Sequence, residues 1–359
     1  MIRRSRFGVP ALGLAALLPA CAARHDSLSS GPAGDGSSSL QGGSETPRSP
    51  SIKPWTYAGR PGRLIETEHY AIHTTDTSSV VVDRLPMFLE AAHSRYVAAF
   101  GPLPAGPTGN DRMDVFVMAT RAEWQRLSRE LLGSQAEPIL RMERGGFTSG
   151  GRALFFNIGT ADTLAIASHE GWHLFTQRTF ARPLPTWAEE GIATHFEGYR
   201  WSAGASTFHS WSNIERFDQL RAAAQAGGLI PLERLLTMQP SGVIEGSQRS
   251  TLTYYAQVWA LIHFLEEGDG GSHRAALKAL IADAAGGSIA EHVRERFAAD
   301  ALGARPVSAT DGAAIFRAYF GSDLASIAKR YRDFINSITG PGVRGAIVEG
   351  RSPLRESHR

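Results

Sequence analysis

The chain has 359 residues, of which 42% are hydrophobic, so it can bury a sizeable core and is too apolar to be wholly disordered. Its 37 basic and 35 acidic residues give a net charge of +2, so no basic field that would bind nucleic acid is expected. The single cysteine, Cys21, excludes an intramolecular disulfide and a zinc site built on several thiolates. Any metal site must therefore rely mainly on His, Asp and Glu.

The N-terminus has the pattern of an export signal. A short basic stretch precedes an apolar run over residues 7–20 that is too short to span a bilayer, and a small residue stands before Cys21. Leu18 and Ala20 ahead of Cys21 resemble the bacterial lipoprotein signal. This resemblance implies removal of residues 1–20, a lipid anchor on Cys21 and a place in the cell envelope, at the outer membrane or in the periplasm. The alternative is an ordinary cleaved signal and a secreted soluble protein.

Composition divides the rest of the chain into three parts. Residues 21–54 are rich in Ser, Gly and Pro, so they cannot bury enough apolar surface to offset their ordering entropy, and a flexible tether is predicted. A folded body is predicted over residues 55–340. The tail, residues 341–359, is predicted to be loose.

The first half of the body, residues 55–160, has a mixed α/β pattern. Helical spacing of apolar residues predicts a helix over residues 79–100. Thr120 with Glu123 three places on is a capping-box signature and predicts a second helix. Short β-prone runs predict strands, and these are residues 69–74, 114–118 and 153–157.

A glycine-rich run, residues 145–151, precedes the last of these strands. It has two interpretations, which the sequence leaves open: a cleft edge where a peptide adds as an extra strand, or a hairpin turn. Residues 161–340 are largely helical in pattern. The predicted fold class is therefore α+β, with a mixed α/β N-terminal half and an α-helical C-terminal half.

The segment at the junction of the halves carries the motif His-Glu-x-x-His, residues 169–173. Residues four apart lie on one face of a helix, so His169 and His173 can meet one zinc ion. Glu170 lies beside them and can reach a zinc-bound water as general base. The alternative is two histidines on an ordinary helix, because so short a motif also arises by chance.

A catalytic zinc normally takes three protein ligands, and a candidate third ligand follows. Glu190 lies 17 positions after His173, which leaves room for a turn and a second helix packed beside the first. Pro183 and Pro185 can break the chain between the two helices.

The pattern Trp187-x-x-Glu190-Gly191-x-Ala193 after the first motif resembles the gluzincin metallopeptidases. The likeness extends over about residues 60–270 and is nearest to small bacterial members of that clan. It implies a zincin-like fold with the active-site cleft between the two halves. It also implies that Glu190, and not Glu189, is the third ligand of a Zn²⁺ ion.

A third stretch, residues 255–265, is similar to the aminopeptidase helix that begins with a tyrosine. In those enzymes the tyrosine donates a hydrogen bond to the tetrahedral intermediate. The resemblance gives that role to Tyr255, with Tyr254 as the alternative. The motif with which aminopeptidases bind the substrate amine has no counterpart here, so exopeptidase activity is not expected.

Five other polar residues are expected to lie outside the metal site. His69 and His73 belong to a strand pattern and are expected to be structural. His195 comes five positions after Glu190 and so points away from it, and a core position is expected for His263. For Glu197 a pairing with a basic residue such as Arg200 is expected.

These observations predict a zinc peptidase that acts on a peptide or protein substrate in the cell envelope. One alternative keeps the zinc and changes the substrate to cell-wall peptide or another amide. A second alternative is a non-catalytic envelope lipoprotein that binds partners and keeps the metal site as structure. Glu170 argues against this second alternative, because a structural site has no need of that carboxylate.

Overall fold

The computed structural model describes most of the chain after residue 48 and one short strand before it. The described residues are 13–16, 49–100, 112–142, 145–202, 205–239, 247–298, 308 and 311–355. Cys21 lies outside them, as do most of the predicted export signal and tether. The predicted signal and anchor therefore stay predictions.

Within the described residues, seven strands form one mixed sheet. Their order across the sheet is β1-β6-β7-β5-β4-β3-β2, with parallel pairing of β4 with β5 and of β5 with β7. The strands are β1 (Gly13–Ala16), β2 (Ser51–Tyr57), β3 (Arg60–Glu66), β4 (Tyr70–Thr74), β5 (Met113–Met118), β6 (Gly145–Ser149) and β7 (Arg152–Phe156). The predicted strands at 69–74, 114–118 and 153–157 are confirmed as β4, β5 and β7.

Helices flank this sheet as the apolar spacing predicts. A π-helical turn, Val80–Arg84, leads into α1 (Leu85–Phe100). Helix α2 (Arg121–Leu132) begins after Thr120, whose side chain accepts a hydrogen bond from the backbone N–H of Glu123. The short α3 (Ala136–Leu140) follows.

The chain after the sheet is mainly helical. Its helices are α4 (Thr160–Thr179), α5 (Thr186–Phe196), α6 (Ile214–Gln225), α7 (Leu232–Thr237), α8 (Gln248–Glu267), α9 (Arg274–Gly286), α10 (Ile289–Arg296), α11 (Gly312–Phe320), α12 (Leu324–Ile338) and α13 (Arg344–Val348). A hairpin of β8 (Tyr199–Ser202) and β9 (Ala205–Phe208), which the sequence did not predict, interrupts them. No helix in the described part of the chain combines the length and the hydropathy that a membrane crossing requires.

Helices α4 and α5 lie at the centre of the molecule. Helix α4 packs against α1, α5, β6 and β7, and α5 packs against α4 and α8. Three fully buried tryptophans, Trp172, Trp187 and Trp259, come from α4, α5 and α8. Because α4 is covered on several sides, burial stabilises it despite Gly171 in its middle.

The C-terminal tail differs from its prediction. Residues 341–359 were expected to be loose, but α13 forms there, and Ile347 is fully buried. Arg344 also donates to the carboxylate of Asp218 on α6. The apolar side chains of this short helix find a partner surface on the body, which local composition does not reveal.

Candidate metal centre

The structure brings together the three residues of the predicted metal site. His169 and His173 project from one face of α4, and Glu190 projects from α5. Oε2 of Glu190 lies 3.2 Å from Nε2 of His169 and 3.5 Å from Nε2 of His173. One ligand atom from each residue lies within 4.8 Å of the other two, so this group can hold a metal ion.

The donor atoms fit a borderline-soft divalent cation. All three side chains are buried, and Nε2 of His173 makes no hydrogen bond. Two imidazole nitrogens with one carboxylate oxygen are a donor set that zinc takes in catalytic sites. A cation placed among these atoms would satisfy the buried nitrogen of His173 and the charge of Glu190 together.

The charges in this cluster depend strongly on one another. Burial raises the pKa of Glu190, but His173 and His169 outweigh it and lower that pKa to about 2. Burial lowers the pKa of His173, and Glu190 with Glu189 raises it well above its usual value. The pKa of His169 is raised in the same way by Glu190 and Glu197. Glu190 thus draws positive charge to the point where the imidazoles converge.

Glu170, the predicted general base, is fully buried next to the two histidines. Burial raises its pKa above the usual value, although His173 and His169 oppose this rise. The hydroxyl of Thr148 on β6 donates to Oε2 of Glu170 at 2.7 Å. Thr148 belongs to the glycine-rich run 145–151, but its contact with Glu170 could not be predicted, because only the fold brings β6 against α4.

A carboxylate lies behind each histidine. Nδ1 of His169 donates to Oε1 of Glu197 at 2.8 Å, and Nδ1 of His173 donates to Oε1 of Glu189 at 2.9 Å. Both rings therefore present Nε2 to Glu190. Metal-binding histidines commonly have such partners, which orient the ring and set its tautomer. Glu189 thus contacts a ring nitrogen on the side away from the ligand atoms.

The partner of Glu197 differs from the expected one. Nε and Nη2 of Arg216 on α6 each donate to its carboxylate at 2.9 Å, and Nδ2 of Asn213 donates at 2.8 Å. Burial raises the pKa of Glu197, but Arg216 and His169 lower it to about 2. Arg200 instead donates to a backbone carbonyl of α13. Glu197 follows the last residue of α5, and its side chain points into the protein interior. The buried Arg216 of α6 therefore neutralises its charge.

Both candidate tyrosines lie near the cluster. The ring of Tyr255 lies 6.2 Å from the ring of His169, and the guanidinium carbon of Arg216 lies 5.0 Å from its centre. Burial and Glu190 raise the pKa of Tyr255 and of Tyr254 well above the usual value. Both phenols therefore stay protonated and can donate a hydrogen bond.

The four other histidines named in the sequence analysis lie outside the cluster. His69 hydrogen-bonds the carboxylate of Glu90, and His73 that of Asp114. His195 and His263 are buried and stack on each other with ring centres 4.0 Å apart. The direction of His195 away from Glu190 follows from its place five residues later on α5.

Comparison of the chain with protein-family models, with curated proteins and with solved structures finds no match. The resemblance to gluzincins that the sequence motifs suggest therefore stays a prediction.

Proposed function

We propose that this protein is a zinc-dependent peptidase of the gluzincin type, with a zincin-like fold and a cleft between its two halves. The observation that carries the proposal is the buried group of His169, His173 and Glu190 with Glu170 beside it. A structural zinc site is normally closed by four protein ligands, whereas three ligands leave a position for water, and the adjacent carboxylate is what hydrolysis requires.

The chemistry divides among a few side chains. Zinc, when bound, polarises a water molecule and the scissile carbonyl. Glu170 accepts the proton of the attacking water and passes it to the leaving amine, and its raised pKa suits a group that must both take and return a proton. Tyr255 donates a hydrogen bond to the developing oxyanion.

An extended peptide is the substrate that the sheet edge supports. Strand β1 pairs antiparallel with β6, with Gly13 opposite Thr148, and β1 also contacts α4 and α5. Because β1 belongs to the signal whose removal is proposed, its place beside β6 would be open to a substrate main chain in strand conformation. The structure shows the hairpin interpretation of residues 145–151, with Gly150 and Gly151 in the turn from β6 to β7. The other interpretation, a strand that takes a peptide as an extra strand, is part of the proposal.

The Glu170→Gln variant tests the proposal. We expect the purified protein to hold one zinc at this centre and to cleave an unstructured protein such as casein, and the variant to keep that zinc but lose more than 100-fold of the cleavage rate. Metal content is measured by mass spectrometry after desalting, and Glu291→Gln on the exposed face of α10 is the control. A parent protein without zinc, or a variant with full activity, would refute the proposal.

We also propose that the protein is exported and held in the cell envelope through lipidated Cys21. The support is the arrangement of basic, apolar and small residues ahead of this cysteine. Labelling of expressing cells with a fatty-acid analogue should mark the wild type and not Cys21→Ser. Absence of label on the wild type would remove the anchor from the proposal.

A further inference from the structure

A second group of metal-ligand side chains lies outside the site described above. His195 comes from α5, and His263 and Glu266 come from α8, where they stand three residues apart on one face. One nitrogen of each ring and one carboxylate oxygen lie within 4.8 Å of one another. Nδ1 of His195 is 3.8 Å from Oε2 of Glu266.

The hydrogen bonding of His195 leaves a lone pair directed at this group. Nε2 of His195 is 3.2 Å from the backbone carbonyl of Trp259 and therefore carries the hydrogen of the neutral ring. Nδ1, on the side of Glu266, is then an acceptor without a proton. Metal-binding histidines commonly donate their other ring N–H to a backbone carbonyl in this way.

His263 is a buried polar group whose hydrogen bonds are incomplete. Its side chain is 0% exposed, and neither ring nitrogen makes a hydrogen bond of regular geometry. The backbone of Ser210 interacts with the ring but can serve one nitrogen at most, so at least one nitrogen is left without a partner. The ring lies between two flat rings, with Trp211 stacked at 3.6 Å and His195 at 4.0 Å. A buried nitrogen without a partner lowers stability, so a ligand that uses its lone pair would remove that penalty.

Glu266 is the member of this group that reaches solvent. It has 32% of its side chain exposed and lines a cavity of about 210 Å³, together with Arg274 and Lys278. Trp211 and Ser352 donate hydrogen bonds to the carboxylate of the neighbouring Glu267. Glu266 is therefore the carboxylate that can face the two histidines. Burial holds the pKa of His195 at about 4 and keeps its ring neutral, which is the state that binds metal.

We propose that His195, His263 and Glu266 form a second metal site, which binds a Zn²⁺-like transition-metal ion and joins the C-terminal parts of α5 and α8. The donor set of two imidazoles and one carboxylate suits zinc and excludes the hard cations that need oxygen ligands. Helix α5 also carries Glu190 and Glu197. An ion at the second site would therefore hold the helix that completes the first.

Zinc titration of the metal-free protein tests this site. We expect two equivalents of bound Zn²⁺ in the wild type and one in Glu266→Gln, whose partly exposed position should leave the fold intact. Glu267→Gln removes the same charge one residue along and should still bind two equivalents. A change in tryptophan fluorescence should accompany the second equivalent, because zinc would draw the three ligand atoms inward and move His263 against Trp211.

Variants of the first site show which of the two sites binds each equivalent of zinc. His169→Asn combined with His173→Asn should still bind one equivalent, and that equivalent should be lost when Glu266→Gln is added. Far-ultraviolet circular dichroism checks that each variant is folded. A wild type that binds one equivalent, or a second equivalent that Glu266→Gln leaves unchanged, would overturn the second site. Neither result bears on hydrolysis at Glu170, so the proposed function is judged separately.

Discussion

Glu197 accepts a hydrogen bond from Nδ1 of His169 at 2.8 Å, although the two residues come from different helices and stand 28 positions apart. The same carboxylate is bound by Arg216, which is itself fully buried. The orientation of one metal-site histidine thus depends on a cation from a third helix. This chain of contacts joins the candidate metal centre on α4 and α5 to α6.

Arg216→Met should weaken the metal centre as well as the fold. Loss of the guanidinium leaves Glu197 as a buried charge without its cation, which costs about 3–5 kcal/mol of unfolding free energy. His169 then loses a fixed partner, so we expect zinc affinity to fall by roughly 10–100-fold. Competition with a fluorescent chelator measures the affinity, and thermal unfolding measures the stability.

A matched control for this variant is Arg344→Met. Arg344 pairs with Asp218 at the surface, where an ion pair is worth about 1 kcal/mol or less. The Arg344→Met variant should therefore leave zinc affinity unchanged. Equal loss of affinity in the two variants would show that Arg216 acts through general stability alone.

The variants Glu190→Gln and Glu189→Gln should differ in zinc affinity, because Glu190 is the proposed ligand and Glu189 is not. Glu190 supplies the carboxylate that faces Nε2 of both histidines. Glu189 instead accepts from Nδ1 of His173 and from the hydroxyl of Thr176. We expect Glu190→Gln to lower zinc affinity more than 100-fold and Glu189→Gln to lower it by about 10-fold. Competition with a chelator measures both zinc affinities. Equal losses of affinity in the two variants would contradict the assignment of Glu190 as the third ligand.

Thr148→Val should lower the hydrolysis rate without removing zinc. The hydroxyl of Thr148 donates to Oε2 of Glu170, so its loss frees the carboxylate to turn and raises its pKa further. We expect a reduction in kcat of roughly 10-fold and a shift of the acidic limb of the pH–rate profile to higher pH. Thr148→Ser keeps the hydroxyl and should restore most of the rate. If Thr148→Ser is as slow as Thr148→Val, the loss of rate comes from altered packing and not from loss of the hydroxyl.

Gly191→Ala should destabilise the protein although alanine favours helices. A Cβ at Gly191 would lie 2.7 Å from Cγ1 of Ile262 and 2.8 Å from the carbonyl oxygen of Val258 on α8. We expect a loss of about 1–3 kcal/mol on denaturant unfolding. Gly345→Ala in α13 meets no atom within 4 Å and should be neutral or stabilising by up to about 1 kcal/mol. A stable Gly191→Ala would refute the close contact of α5 with α8.

His93 should make stability depend on pH. Burial and the nearby His69 lower the pKa of His93 from 6.5 to about 4. The unfolded chain therefore binds a proton at this residue between pH 6.5 and 4 that the folded chain does not bind. Its contribution to stability is present above pH 6.5 and is lost as the pH falls toward 4. Denaturant unfolding of His93→Gln should show a shallower decline over this range, and an unchanged slope would contradict the shift.

Much of the local structure could be read from the sequence. The capping box at Thr120 and the alternating apolar residues of β4 and β5 are local signals, and each element formed where it was predicted. His169 and His173 were also predicted to share a face, because four residues make about one helical turn. These features depend on residues near one another in the chain.

The sequence by itself determined the α+β order of elements and the three side chains that can hold a metal ion. Only the tertiary structure decided that Glu197 pairs with Arg216, that Thr148 contacts Glu170 and that His195 lies against His263. These pairs join elements that are distant in sequence, and their partners are chosen by how helices and strands pack. No spacing rule of a single helix or strand contains that information, because burial and charge pairing act between elements.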